Sequence, residues 1–260
     1  MSHTPGMDLV DHAERGYGHV RGISPYSAGV LALRGFAITR VTLQRPLPWL
    51  DGFAAIDRTL AAAGRPPDSL CSIELRSPTP HSFGGFGSFN DDYRAALDQR
   101  GLLVDGGENP VARTNVAPRL DPPDTTHLFA FGYTVPTDET DRPSFIVSGA
   151  GDLHDQADLR PESIVGGERS WVDSGQERAA VVLDELEGRL SALGLDWDDT
   201  DAVVVYSVEA VHNVLESVVL PRLGPAATGR GVHWYWAEPP IQGLLFEMDA
   251  RGGVNEMAGE

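Results

Sequence analysis

The order of apolar periodicities most constrains how this chain can fold, because one series runs through it twice. In the first half, Phe53, Ile56, Leu60 and Ala63 fall at spacings of three and four, the stripe of a single helix face, and Gly64 ends the run. Leu70 to Leu75 then alternates as a strand. The glycine-rich stretch His81 to Gly87 reads as a loop leading into a second helix with Phe89, Tyr93, Ala96 and Leu97 inward. Strand-like runs from Arg113 to Pro118 and from His127 to Val135 complete the series. The second half repeats it with a helix from Gln176 to Leu193 closed by Gly194, a strand from Ala202 to Tyr206, a helix from Val208 to Leu223, and strands from Gly231 to Ala237 and Gln242 to Ala250. Each series opens on a further strand-like run, Val30 to Val41 in one half and Ser144 to Gly149 in the other.

This pattern predicts an α/β (α+β) chain of two tandem units, residues 1–138 and 139–260, joined across the charged, proline-containing stretch Pro136 to Pro143. Each unit carries two helices beside its strands. Two helices cover one face of a sheet, so the other face needs another unit as its cover, and oligomerisation is expected.

Composition narrows the function. With 260 residues, 41% of them hydrophobic, the chain can bury a substantial core. Its single cysteine, Cys71, excludes an internal disulfide or a cysteine metal cluster and points to the cytoplasm. Cys71 lies in the alternation Ser69 to Leu75 and reads as a buried core thiol, with a nucleophile as the alternative. The polar stretch Met1 to Gly22 has no signal-peptide core, and no apolar run approaches the ~18 residues of a membrane span. A net charge of −18 disfavours nucleic acid and anionic membranes, so an anion site must rely on local arginines. No His-Glu-x-x-His or Cys-x-x-Cys pattern occurs. The glycines of His81 to Gly87 lack the lysine of a phosphate loop, and Ser148-Gly149-Ala150-Gly151 is too weak for a dinucleotide fingerprint. Neither a metal nor an organic cofactor is expected.

Several short motifs recur in matching order. The first half carries Ser24-Pro25-Tyr26-Ser27-Ala28-Gly29-Val30, then Ser88-Phe89-Asn90-Asp91-Asp92-Tyr93 and Asn109-Pro110-Val111-Ala112-Arg113-Thr114-Asn115-Val116. The second carries Phe145-Ile146-Val147-Ser148-Gly149, Val211-His212-Asn213, Gly229-Arg230-Gly231-Val232 and Leu245-Phe246-Glu247-Met248-Asp249-Ala250. In these motifs the chain resembles the RidA (YjgF) family over nearly its whole length. The resemblance implies chorismate-mutase-like units, each a mixed sheet packed on two helices, that assemble as trimers with ligand clefts between neighbours, so that a fused pair forms a homotrimer mimicking six units. It also implies that a strand arginine grips a substrate carboxylate while a glutamate of the closing strand helps water attack an imine carbon. By position this singles out Arg230 and Glu247 as the catalytic pair of the second unit. Arg113 keeps the arginine position in the first, but its closing strand, His127 to Tyr133, holds no acid, and His127 is the candidate replacement. Tyr26, Asn90 and Asn213 match further motif positions and are expected to bind substrate.

The residue chemistry is consistent with that role. A guanidinium donates two parallel hydrogen bonds to a carboxylate, and hydrolysis of an enamine or imine needs only a proton placed on carbon and a carboxylate to relay a proton from water. The alternative for Arg230 and Glu247 is a plain inter-strand ion pair. Trp234 and Trp236 could stack a flat conjugated substrate, or else fill a core or an interface. A fused form of this length is similar to the family's deaminases of 2-aminomuconate and its chlorinated analogue. The expected activity is therefore hydrolytic deamination of a small amino dicarboxylate in aromatic-compound degradation, releasing ammonia and an oxo-acid. Two charged ends require two anchors, and Arg113, Arg40 and Arg34 are candidates for the second. A broad imine deaminase and a non-catalytic acid-binding or assembly protein are the other readings.

Overall fold

Alternation, helical stripes and turn glycines resolve into the following elements in the computed structural model, which describes residues 8–139 and 142–259. Strands β1 (Leu9–His12), β2 (Tyr17–Val20), β3 (Gly29–Ala32) and β4 (Phe36–Pro48) lead into helix α1 (Trp49–Ala62). Then come β5 (Leu70–Arg76), α2 (Phe83–Asp98), β6 (Ala112–Pro118) and β7 (His127–Pro136). The second half runs through β8 (Phe145–Gly151), α3 (Trp171–Ala192) and β9 (Ala202–Tyr206). A broken helical segment follows: α4 (His212–Val214), a π-helical turn (Leu215–Val219), α5 (Leu220–Leu223) and α6 (Pro225–Arg230). The chain closes with β10 (His233–Tyr235), β11 (Ala237–Glu238), β12 (Glu247–Gly252) and β13 (Asn255–Gly259).

The strands form two mixed sheets, ordered β1-β2-β3-β8-β12-β9-β10 and β11-β6-β5-β7-β4-β13. Within them, β6-β5-β7-β4 and β10-β9-β12-β8 share one pattern, parallel at the first pair and antiparallel at the next two. The two halves also exchange edges. Strands β1 to β3 extend the seven-stranded sheet through β3 and β8, whereas β11 and β13 join the six-stranded sheet beside β6 and β4. The expected run Val30 to Val41 is thus two strands belonging to different sheets. The chain turns between them at Gly35, whose φ of 87° suits glycine.

Each sheet buries one face under its own helices. Phe53, Ile56 and Leu60 of α1 with Tyr93 and Leu97 of α2 pack on Val41, Ile73 and Phe131. Leu183, Leu186 and Leu190 of α3, with Val214 and Val219, pack on Phe145, Val203, Val205 and Met248. The remaining faces meet each other across Tyr17, Val30, Ile38, Cys71, Ala112 and Ile146, so cover for each sheet comes from within the chain. Cys71 lies in this inter-sheet layer, and burial pushes its thiol up, away from the ionised form a nucleophile needs.

Two local expectations fail for identifiable reasons. The glycines of His81 to Gly87 lie largely within α2, because Ser82 Oγ accepts a hydrogen bond from Gly85 N at 3.1 Å and caps the helix. The expected helix to Leu223 is interrupted by the π-helical turn just before Pro221, which has no N–H for a regular bond, and α6 follows it. Arg230 consequently ends a helix instead of sitting in a strand. No helix among the described residues is long and apolar enough to cross a membrane.

Arg178 of α3 is 1% exposed and fixes the connection after β8. Its guanidinium donates to Asp152 and, at 2.8 Å each, to Ser174 Oγ and the Gly167 carbonyl. Arg178→Met leaves Asp152 buried without its partner and is expected to lower unfolding stability in urea by about 3–5 kcal/mol. Adding Asp152→Asn should recover part of that loss, and a fully additive double variant would show that the two residues do not act as a pair.

Candidate active site

Alternation along β6 turns Arg113 and Asn115 toward one side and Thr114 toward the other. Arg113 enters a cage made largely by α2, where Phe86, Phe89, Asn90 and Tyr93 share a helix face at spacings of three and four. Its guanidinium carbon lies 4.6 Å from the Tyr26 ring centroid, 4.8 Å from Tyr93 and 5.5 Å from Phe86. Nη2 donates to Asn90 Oδ1 at 2.8 Å, while Nη1 is buried with no hydrogen-bond partner among the described residues. Burial pulls Arg113 below the ordinary guanidinium value, an effect opposed by Tyr93, Tyr26 and Glu247. The rings hold the cation in place without neutralising it.

Glu247 reaches the same cleft from the other sheet. Along β12, Met248 and Ala250 enter the helix-covered core, leaving Glu247 and Asp249 on the inter-sheet side. The β12–β8 register shifts between Met248 and Ala250, and this bulge opposite Ser148 and Gly149 turns the strand locally. A Cβ on Gly149 would lie 2.2 Å from Glu247 Oε1, so the carboxylate occupies the space left by the missing side chain. Burial, then the neighbouring Asp249 carboxylate, drives Glu247 well above the usual carboxylate range, against the pull of Arg113 and Arg189. Asp249 is fixed by Tyr206 Oη and Thr114 Oγ1, which donate to it at 2.8 and 2.9 Å.

Arg113 and Glu247 line one cleft with Tyr26, Phe86, Asn115 and Gly149, closed by apolar residues that include Leu153, Ile241 and Leu244. Asn115 Oδ1 accepts from Ser77 Oγ at 3.0 Å, and its Nδ2 is another buried donor without a partner among the described residues. Unpaired buried donors are destabilising, so the pocket is preset for a ligand that brings acceptors. It combines an unpaired cationic donor, apolar walls and a carboxyl group whose hold on its proton is strengthened by burial, an arrangement that suits proton transfer to a small unsaturated acid.

The expected residues separate into two groups. Arg113, Asn90, Tyr26 and Glu247 converge. Arg230 does not join them: it lies beside the start of β9, donating to the Asp198 and Thr200 carbonyls and sitting 3.5 Å from Asp201, whereas Glu247 pairs with Tyr206 at the other end of that strand. Arg230 is a helix residue because the segment before β10 is α6, so the arginine opposite Glu247 comes from the first half. Asn213 is exposed, and its carbonyl accepts from Ser217 Oγ. Trp234 and Trp236 are 41% and 50% exposed and donate to the Ser207 and Val208 carbonyls, away from the cleft. Arg40 is committed to Glu74 and Glu256, and Arg34 is exposed. Asn115 was missed although it stands two residues beyond Arg113 in the quoted motif, where strand alternation places it on the same side. No comparable signal marked Leu153, Ile241 or Leu244.

A family model for the 2-aminomuconate deaminase CnbZ matches residues 9–257. With the cleft, this defines the class of protein: a muconate-type deaminase. The chain belongs to the CnbZ family of 2-aminomuconate deaminases. It is 39% identical over 251 residues to the 2-amino-5-chloromuconate deaminase of Comamonas testosteroni, covering 96% of this chain and 98% of the relative. Among solved structures it is similar to a chorismatase, at 14% identity and a TM-score of 0.47 over 93% of this chain and 78% of the other. It is also similar to a cyanuric acid hydrolase, at 10% identity and a TM-score of 0.41 over 85% and 69%.

Gly149→Ala tests the close approach to Glu247. The added methyl must displace the carboxylate, so deaminase kcat should fall by more than tenfold while the thermal transition stays cooperative. An unchanged kcat would show that the position of Glu247 does not matter to turnover.

Proposed function

We propose that the chain is a cofactor-independent hydrolytic deaminase acting on an amino dicarboxylate of the 2-aminomuconate type. One observation carries the reading: an arginine donor of one half, unpaired among the described residues, and a buried carboxyl group of the other, pushed above the usual carboxylate range by burial, open into the same cleft. Arg113 binds one substrate carboxylate through Nη1, and Asn115 Nδ2 offers a donor for the second acidic end. Neutral Glu247 gives its proton to a carbon of the enamine as the nitrogen lone pair forms the C=N bond. The resulting Glu247 carboxylate removes a proton from water as its oxygen attacks the iminium carbon. Glu247 passes that proton to the amino nitrogen and takes the hydroxyl proton as the C–N bond breaks and the C=O bond forms, which releases ammonia, leaves the oxo-acid and regenerates the neutral acid. Water is the only co-reactant.

The common strand order of the two sheets supports reading the chain as two RidA-like units, 1–138 and 139–260, that have exchanged edge strands. A cytoplasmic location and a homotrimeric assembly belong to the same reading. The working cleft is composite, with the arginine from the first unit and the acid from the second.

With 2-aminomuconate as substrate, Glu247→Gln should reduce ammonia release by about 10²–10⁴-fold, the usual range for a positioned acid–base group. Arg113→Met should chiefly raise KM. Unchanged ammonia release by a folded Glu247→Gln protein would overturn the assignment.

The pH dependence has a defined sign. The first step needs protonated Glu247, so kcat should decline as pH rises through its raised pKa. Because the folded protein keeps this proton after the unfolded chain has lost it, stability falls as pH climbs from the ordinary carboxylate value through the raised one. Replacement by Gln removes that penalty, so the stabilisation of Glu247→Gln in calorimetry should be larger at about pH 8 than at about pH 5. Equal shifts at both pH values would indicate an ordinary, ionised glutamate.

A further inference from the structure

Strand register relates the Arg113–Glu247 cleft to another corner of the molecule. Glu247 is paired with Tyr206, the last residue of β9, and His127 is paired with Arg76, the last residue of β5. His127 therefore occupies in the six-stranded sheet the place of Glu247 in the seven-stranded one. Arg113 pairs with Ile73, three residues before Arg76. Three residues before Tyr206 is Val203, and continuing the β10–β9 register by one residue sets Val232 beside it. The second corner thus has valine and histidine where the first has arginine and glutamate.

This corner nevertheless contains a cation. Arg76, 5% exposed, comes from β5 itself and lines a pocket with His127, Phe129, Tyr235 and several prolines, among them Pro46 and Pro122. One acid, the exposed Asp121, also lines the pocket. The Arg76 guanidinium carbon lies 4.0 Å from the Phe129 ring centroid and 5.6 Å from that of Tyr235. Arg76 Nη1 donates to its neighbour's carbonyl, on Leu75, at 2.9 Å. The nearest acid, Glu74, is 3.7 Å from Nη2 but makes its paired hydrogen bonds to Arg40 at 2.5 and 2.8 Å. His127 Nε2 is buried without a hydrogen-bond partner among the described residues, 3.4 Å from the exposed Asp124.

We propose that this pocket is a second ligand site, which binds a flat organic monocarboxylate and does not turn it over. The Arg76 guanidinium and the His127 imidazole receive the carboxylate, and Phe129, Tyr235 and the prolines enclose a planar apolar body. The glutamate position is taken by His127, so the pocket has no counterpart of the buried acid that donates the proton in the first cleft.

Benzoate is the probe, titrated by calorimetry into the full-length protein whose deaminase cleft is already saturated with cis,cis-muconate. One saturable benzoate site per chain is expected. Tyr235→Ala, at a half-exposed rim position, should weaken it at least fivefold with deaminase kcat unchanged, and Arg76→Gln should abolish it. If Arg76→Gln fails to fold, His127→Ala provides the same test by removing the unpaired nitrogen. Absence of saturable benzoate binding overturns the proposal. So does binding that survives Tyr235→Ala and His127→Ala unchanged, or binding lost only on Arg113→Met, which would assign benzoate to the deaminase cleft.

Discussion

The site depends on the contact that lays β6 of one sheet against β8 of the other. Ser148 Oγ donates to the Ser27 carbonyl at 2.6 Å and accepts from Arg113 N at 3.0 Å, tying the loop that carries Tyr26, the strand that carries Arg113 and the bulge that makes room for Glu247. Thr114, facing away from the cleft, extends the contact by donating to Asp249. The two residues of the proposed chemistry, Arg113 and Glu247, come from different halves.

This arrangement concentrates acids where water is scarce. Glu247, Asp249, Glu74 and Asp152 are all buried, and their environments set them apart. Arg40, helped by Arg76 and Arg251, holds Glu74 down to about 2, so it remains ionised. Its charge, second to burial itself, raises Asp249, whose own charge contributes to raising Glu247. The inter-sheet layer therefore bears on the proposed chemistry, since its charges help to raise the pKa of a group that opens into the cleft.

Much of this was legible in the residues. Helical stripes and strand alternation located nearly every element that packs on the helix-covered faces, because burial on one side writes a period into the chain. Arg113, Tyr26, Asn90 and Glu247 were all visible as motif residues. The pairing across halves was not, because a motif names a residue without saying which sheet lies opposite it. Arg230 shows the limit most clearly: the short string Gly229-Arg230-Gly231 resembles a strand motif, yet Arg230 ends α6 and lies beside the start of β9, whereas Glu247 pairs with the end of that strand. The edge strands β1 and β13, and β2 beside β1, were also missed. They are short, and β13 is largely exposed, so they carry little apolar signal, and their places are fixed by backbone pairing to distant strands.

The central claim is that one cleft takes its arginine from the first half and its acid from the second. A crystal structure with bound cis,cis-muconate tests it most directly. The account predicts one carboxylate on Arg113 Nη1, the other end near Asn115, and the diene carbons beside Glu247. A muconate held by Arg230, with the Arg113–Glu247 cleft empty, would contradict it.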